Sequence, residues 1–168
     1  MGTDYIVSVG PIVIIKNPPV STTETHRCCN NTHCKNYHRT AYTKFCEECG
    51  QPIGDWVEAV VKPLDIDFHE LLNESLVPDN YNDQDGETII LVANDYTPKH
   101  EEINKQIGFQ RFNLKYGEEC RVFPTPEEMS GSVKTFEGVF AEELSKLKEI
   151  FGADNVSVRY GTIGTISC

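Results

Sequence analysis

Residues 28–49 read CCNNTHCKNYHRTAYTKFCEEC and hold five of the seven cysteines of a 168-residue chain. Four of them form two close pairs, Cys29 with Cys34 and Cys46 with Cys49, the second followed by Gly50. The pattern is C-x4-C, a loop of 11 residues, then C-x2-C-G. That is the spacing of a tetrahedral metal site: two tight turns each bring two sulfurs to one point, and four thiolates at about 2.3 Å satisfy a d10 ion such as Zn2+. Gly50 supplies the positive φ that turns backbone N–H groups toward the sulfurs. Cys28 competes with Cys29 for the first position, giving C-x5-C. His33 or His38 is a substitute ligand on chemistry alone, although each reads more simply as a solvent-facing loop residue. Iron in a rubredoxin-like site has the wrong spacing in its first pair. Four sulfurs close the shell and leave no position for a reactive water, so the expected role of the metal is structural.

On either side of this stretch the chain alternates strand-like and helix-like segments. Tyr5 to Ile15 is rich in Val and Ile and broken only at Gly10-Pro11, which reads as a strand or bent strand pair ended by Asn17-Pro18-Pro19. Ser21 to Thr25 is a short polar run. Trp56 to Val61 reads as a strand stopped by Pro63. Asp67 is a good N-cap for a short helix whose apolar face is Phe68, Leu71, Leu72 and Leu76. Pro78 to Gly86 is polar and turn-rich, and Thr88 to Ala93 is a continuous apolar run of the buried-strand kind. Thr97-Pro98 begins a helix over His100 to Ile107 that Gly108 closes. Phe109 to Tyr116 and Cys120 to Phe123 suggest a hairpin across Gly117, and Thr125-Pro126-Glu127-Glu128 a single helical turn. Val133, Phe136, Val139, Phe140, Leu144, Leu147, Ile150 and Phe151 line one face of a long helix over Ser132 to Phe151. Val156, Val158 and Tyr160 alternate in a final strand.

The chain carries a net charge of −11, unevenly spread. Residues 25–46 contain Arg27, Lys35, Arg39 and Lys44 and no acid, so they carry +4 against −15 for the remainder. Residues 55–102 hold thirteen acids against Lys62 and Lys99. An acidic surface of this kind disfavours non-specific attachment to nucleic acid or anionic membrane and favours a basic protein partner. The amino terminus lacks a basic n-region, and no segment approaches the ~18 apolar residues of a membrane span. The expectation is a soluble, cytoplasmic protein in which cysteines are thiols and metal ligands. Asp95, His100, Glu101 and Glu102 follow a buried-type strand but match no nucleophile motif and read equally well as an exposed first helical turn. No phosphate-cradling motif is present, because Gly161-Thr162-Ile163-Gly164 has no helix to follow it.

The segments CNNTHCKNY and KFCEECGQPI resemble the zinc-ribbon family, whose second knuckle often reads F-C-x-x-C-G-x-P-I. The resemblance covers residues 28–53 and departs from the family in its wide first knuckle, C-x4-C in place of C-x2-C. It implies that Cys29, Cys34, Cys46 and Cys49 hold one structural Zn2+ per chain. It does not choose a function, since ribbons occur in nucleic-acid binders, protein adaptors and enzymes alike. The expected architecture is an α+β domain, a mainly antiparallel sheet packed by one long C-terminal helix and short helices, with an inserted four-cysteine ribbon. Residues 1–20 and 55–168 would form the main domain and 21–54 the insertion. The leading functional expectation is a non-enzymatic protein-interaction or accessory module. The alternatives are a nucleic-acid-binding accessory protein that uses Arg27, Lys35, Tyr37, Arg39, Tyr42 and Lys44 within residues 25–46, and an enzyme in which the ribbon is only a staple and the acidic loop around Asp79 to Asp85 forms a lid.

Overall fold

The Val/Ile-rich run near the amino terminus forms a single strand, β1 (Asp4–Lys16), in a computed structural model that describes residues 4–79, 87–115 and 117–167. Three other strands build directly on it. β7 (Val156–Ser167) pairs antiparallel along one edge, from Asp4↔Ser167 to Ile15↔Val156. The opposite edge is shared end to end: β6 (Gln110–Lys115) pairs over Asp4–Val9 and β5 (Thr88–Ala93) over Val13–Lys16, both antiparallel. β4 (Leu76–Pro78) completes this five-stranded sheet by pairing with β5. Gly10 and Pro11 fall in the gap between the two partners, and of the two readings, one strand or a bent pair, the single strand is what forms. Gly10 has φ +149, and a Cβ there would stand 2.8 Å from Phe109 Cα, so only glycine fits.

The helices begin where the capping chemistry places them. Asp67 accepts hydrogen bonds from the His69 and Glu70 amides and starts α1 (Phe68–Leu71); Leu76, expected on the same helix, lies in β4. Thr97 caps α2 (Pro98–Ile107), which ends in left-handed Gly108 at φ 68. Thr125 and Glu128 form a complete capping box, and the element that follows is a 14-residue helix, α3 (Pro126–Val139), where a single turn was expected. The one long helix over Ser132 to Phe151 is therefore two helices. α3 ends at Phe140 (φ −106, ψ 30), and α4 (Ala141–Phe151) begins there. Gly138, a poor helix former, precedes the break, and Phe140 is held by its buried ring, 4.7 Å from that of Phe136. The chain after α4 is strand, so the C-terminal element is β7. The expected hairpin across Gly117 is absent among the described residues: β6 takes β1 as its partner, and residues 119–124 lie outside any strand. The polar loop read over Pro78 to Gly86 lies largely outside the described residues.

The fold is thus mixed α+β with antiparallel strand pairing and, among the described residues, four α-helices, and it divides into two units. The first comprises residues 1–17 and 64–168 and holds a core of Val13, Ile15, Leu72, Leu76, Leu91, Ile107, Phe136 and Leu147, each 1% exposed or less. The second, Pro18–Pro63, extends beyond the expected insertion of 21–54 because its last strand belongs to it. β2 (Val20–Cys28) and β3 (Gly54–Lys62) pair antiparallel from Val20↔Lys62 to Cys28↔Gly54. The polar run Ser21 to Thr25 is thus half of a ribbon, and Trp56 to Val61, expected in the main domain, is the other half.

Where the chain leaves and re-enters the first unit, the buried Asn17 side chain donates to the Leu64 carbonyl at 3.0 Å and accepts from the Leu64 amide at 3.2 Å. Its own amide donates to the Glu87 carbonyl at 2.7 Å. Because Asn17→Ala leaves both Leu64 groups unpaired, it is expected to lower stability by about 1–3 kcal/mol in urea unfolding. An unchanged midpoint would show that this clasp contributes nothing.

Candidate metal centre

Two turns present the four thiols. The first begins at the end of β2, where the chain must leave the ribbon with Cys28 and Cys29 on opposite faces. Asn31 shapes it: its side chain accepts from the His33 amide at 3.1 Å, and its carbonyl accepts from the Cys34 amide at 2.9 Å. The Asn36 amide then donates to Cys34 Sγ at 3.3 Å. In the second turn the Cys46 amide donates to the Gln51 carbonyl and the Gly50 amide to the Cys46 carbonyl, both at 2.8 Å, with Gly50 at φ 67. That left-handed conformation is the one the C-x2-C-G pattern calls for.

The Sγ atoms of Cys29, Cys34, Cys46 and Cys49 all lie within 4.8 Å of one another and could hold a metal ion. Cys29 and Cys49 are 3.6 Å apart and Cys34 and Cys46 are 3.7 Å apart. A tetrahedron with 2.3 Å metal–sulfur bonds has edges of roughly 3.8 Å, so the spacing fits a four-thiolate centre. Cys28 stands outside the set, its thiol 3.6 Å from Asn30 Oδ1. His33 and His38 are exposed and also outside it.

Hydrogen bonding divides the thiols. The amides of Cys49 and Glu48 donate to Cys46 and bring its pKa down to about 6, against the opposing effect of burial. The Asn31 amide pulls Cys29 down, but burial and the thiols of Cys49, Cys46 and Cys34 outweigh it and push it up to about 12. Cys34 is raised in the same way, its bond from the Asn36 amide outweighed by burial and by Cys49 and Cys46.

The other residues singled out in the sequence are spread over the cysteine unit. Arg27 lies on β2, where its carbonyl accepts from the Ala41 amide at 2.8 Å. Lys35 pairs with Glu48 at 3.6 Å. Arg39 and Tyr42 line one cavity of about 300 Å³ with Asn36, Thr40 and Thr43, and Tyr42 is 94% exposed. Lys44 lies apart, its carbonyl accepting from the Ile53 amide at 3.0 Å. Tyr37 stacks on His38 at 3.8 Å, and His38 meets Trp56 at 3.9 Å. Sequence reasoning reads His38 as solvent-facing, as it is, but places Trp56 outside this unit and misses the contact between the two. The signal available was the β-branched content of Val20 to Thr25, which marks a partner strand for Trp56 to Val61.

The unit is also less basic than the residue 25–46 segment suggests. Over Pro18–Pro63, five bases meet five acids, Glu24, Glu47, Glu48, Asp55 and Glu58, so the net −11 belongs to the rest of the chain. Lys62 bonds Glu24 and holds its carboxyl below the usual carboxylate range.

Elsewhere, Arg111 Nη1 donates to both carboxylate oxygens of Asp95 at 2.8 Å, His100 Nδ1 lies 2.9 Å from Thr97 Oγ1, and Glu101 pairs with Lys105 at 2.9 Å. These groups act in the first turn of α2 and in the link to β6. No protein-family model, curated protein or solved structure matches the chain.

Proposed function

We propose that residues 18–63 form a zinc ribbon in which Cys29, Cys34, Cys46 and Cys49 hold one structural Zn2+, and that the ribbon is a non-catalytic module for binding another protein. The observation that carries this reading is the convergence of four thiols at tetrahedral spacing with no fifth donor in the group. Thiolate sulfur suits zinc, and a closed four-sulfur shell leaves no position from which the ion could activate water. Such a site contributes to folding directly, roughly 10–16 kcal/mol in small zinc-folded peptides. The unit needs that contribution: its buried apolar cluster is the cysteines themselves with Ile53 packed against them, and a two-stranded ribbon alone is marginal in water.

Protein, in preference to nucleic acid, is supported by the charge count. Four thiolates and Zn2+ would take an electroneutral unit to −2, attached to a chain that already carries −11. A phosphate backbone gains affinity from clustered, unpaired cations, and here Lys35 is engaged by Glu48 and Lys62 by Glu24. Exposed aromatic side chains, Tyr42, Phe45 and Trp56, suit a protein partner equally well.

The zinc reading predicts about one zinc per purified chain by atomic emission. Cys46→Ser, or extraction by a strong chelator, should erase hydrogen-exchange protection over residues 20–62 while the β1, β5 and β7 amides stay protected. Full protection of residues 20–62 in zinc-free protein would rule out the structural role.

A further inference from the structure

We propose that the recess formed by Trp56, His38 and Glu58 receives the cationic side chain, Lys or Arg, of a partner protein. The inference rests on reading the cysteine unit as a protein-binding ribbon and identifies where and how that partner is held.

The recess is built by the ribbon and the loop together. The β2–β3 register sets His26 opposite Trp56 and Glu24 opposite Glu58, so all four side chains share one face. From the loop between the cysteine pairs, His38 lays its ring against Trp56 at 3.9 Å and against Tyr37 at 3.8 Å. His38 is held in the left-handed region at φ 58, its amide donating to the Cys29 carbonyl at 3.0 Å. A non-glycine residue in that conformation persists only where its surroundings hold it. Here the rings and the Cys29 carbonyl do so. The space they bound, lined by His26, Cys28, His38, Thr40, Trp56 and Glu58, is about 280 Å³. Small-molecule pockets start at roughly 300 Å³, so its scale is that of one long side chain.

Charge selects the occupant. Two carboxylates directly across a strand pair repel one another. On this face Lys62 bonds Glu24, and His26 Nε2 stands 3.6 Å from it. Glu58 has no ion pair among the described residues. A cation entering from outside would therefore find one carboxylate without a counter-charge and the face of an indole that remains 40% exposed. Both groups attract it, the ring through its quadrupole. A phosphate at the same place would meet Glu58 with the wrong sign.

Trp56 is the only tryptophan of the chain, so its emission reports on the recess alone. The experiment is a titration of the zinc-loaded, full-length protein with an acetylated and amidated tetra-arginine peptide at an ionic strength of about 0.1 M, where surface charges are screened beyond about 10 Å. Saturable quenching is expected. Glu58→Gln should weaken binding ~3–30-fold, whereas Glu127→Gln, which removes the same charge from α3, should leave it unchanged. Trp56→Leu should abolish binding of the labelled peptide by anisotropy. Equal weakening by Glu58→Gln and Glu127→Gln would overturn the recess in favour of general acidity, as would unchanged Trp56 emission. Saturable quenching of Trp56 by oligothymidylate alone would overturn it in favour of a nucleic-acid site. Zinc content is measured in every variant. Failure of peptide binding in protein that retains its zinc refutes the recess and leaves the ribbon standing, whereas zinc-free wild-type protein refutes the ribbon itself.

Discussion

Everything in the second unit depends on four sulfurs meeting at one point. Buried thiols packed at 3.6–3.7 Å gain little from one another as neutral groups and would repel strongly as thiolates. The turns that deliver them are specific all the same: Asn31 organises one, left-handed Gly50 the other, and amides already point at Cys34 and Cys46. Backbone groups aimed at sulfur are the outer shell that orients thiolate ligands and tempers their charge. Their presence fits a centre designed around a cation, and it accounts for a unit that folds with scarcely any hydrocarbon core.

The first unit solves its folding problem differently, through one long strand. β1 takes β7 on one edge and, on the other, β6 and β5 in succession, with α2 inserted between those two. The helices then bury Phe136, Leu144, Leu147 and Ile107. Asn17 and Leu64 close the point from which the ribbon departs, because the Asn17 side chain pairs both backbone groups of Leu64. This clasp lies wholly within the first unit. This is the arrangement under which loss of one need not unfold the other.

What could be read in advance was local. Cysteine spacing, the Asp67 and Thr97 caps, the left-handed Gly108 and the apolar run Thr88 to Ala93 each declare themselves within a few residues, and each is present in the structure. Strand pairing between residues distant in sequence is what stays hidden most. Ser21 to Thr25 is too polar to look like a strand until β3 lies beside it. Phe109 to Tyr116 suggests a hairpin across Gly117, whereas the partner of β6 is β1, about a hundred residues away. The helix over Ser132 to Phe151 has an unbroken apolar stripe, and periodicity cannot see a single residue turned out of helical geometry at Phe140. Cys28 and Cys29 could not be separated by spacing. The alternation of faces at the end of β2 separates them.

Charge, too, is redistributed by pairing distant in sequence. The basic character of residues 25–46 is real along the sequence and vanishes in space, because β3 and the second knuckle bring Asp55, Glu58, Glu47 and Glu48 into the same unit. The fold also ties the aromatic surface to the metal. Trp56 is fixed by the ribbon, but its neighbour His38 is fixed by the Cys29 carbonyl, one bond away from a ligand candidate. If the thiols were released, the loop that carries His38 and Thr40 would lose its anchor while Trp56 and Glu58 kept theirs only as far as an isolated two-stranded ribbon survives. On the proposed reading, a surface assembled from both pieces would be competent only with a metal at the centre, which would give a structural ion a functional consequence without any chemistry at the ion.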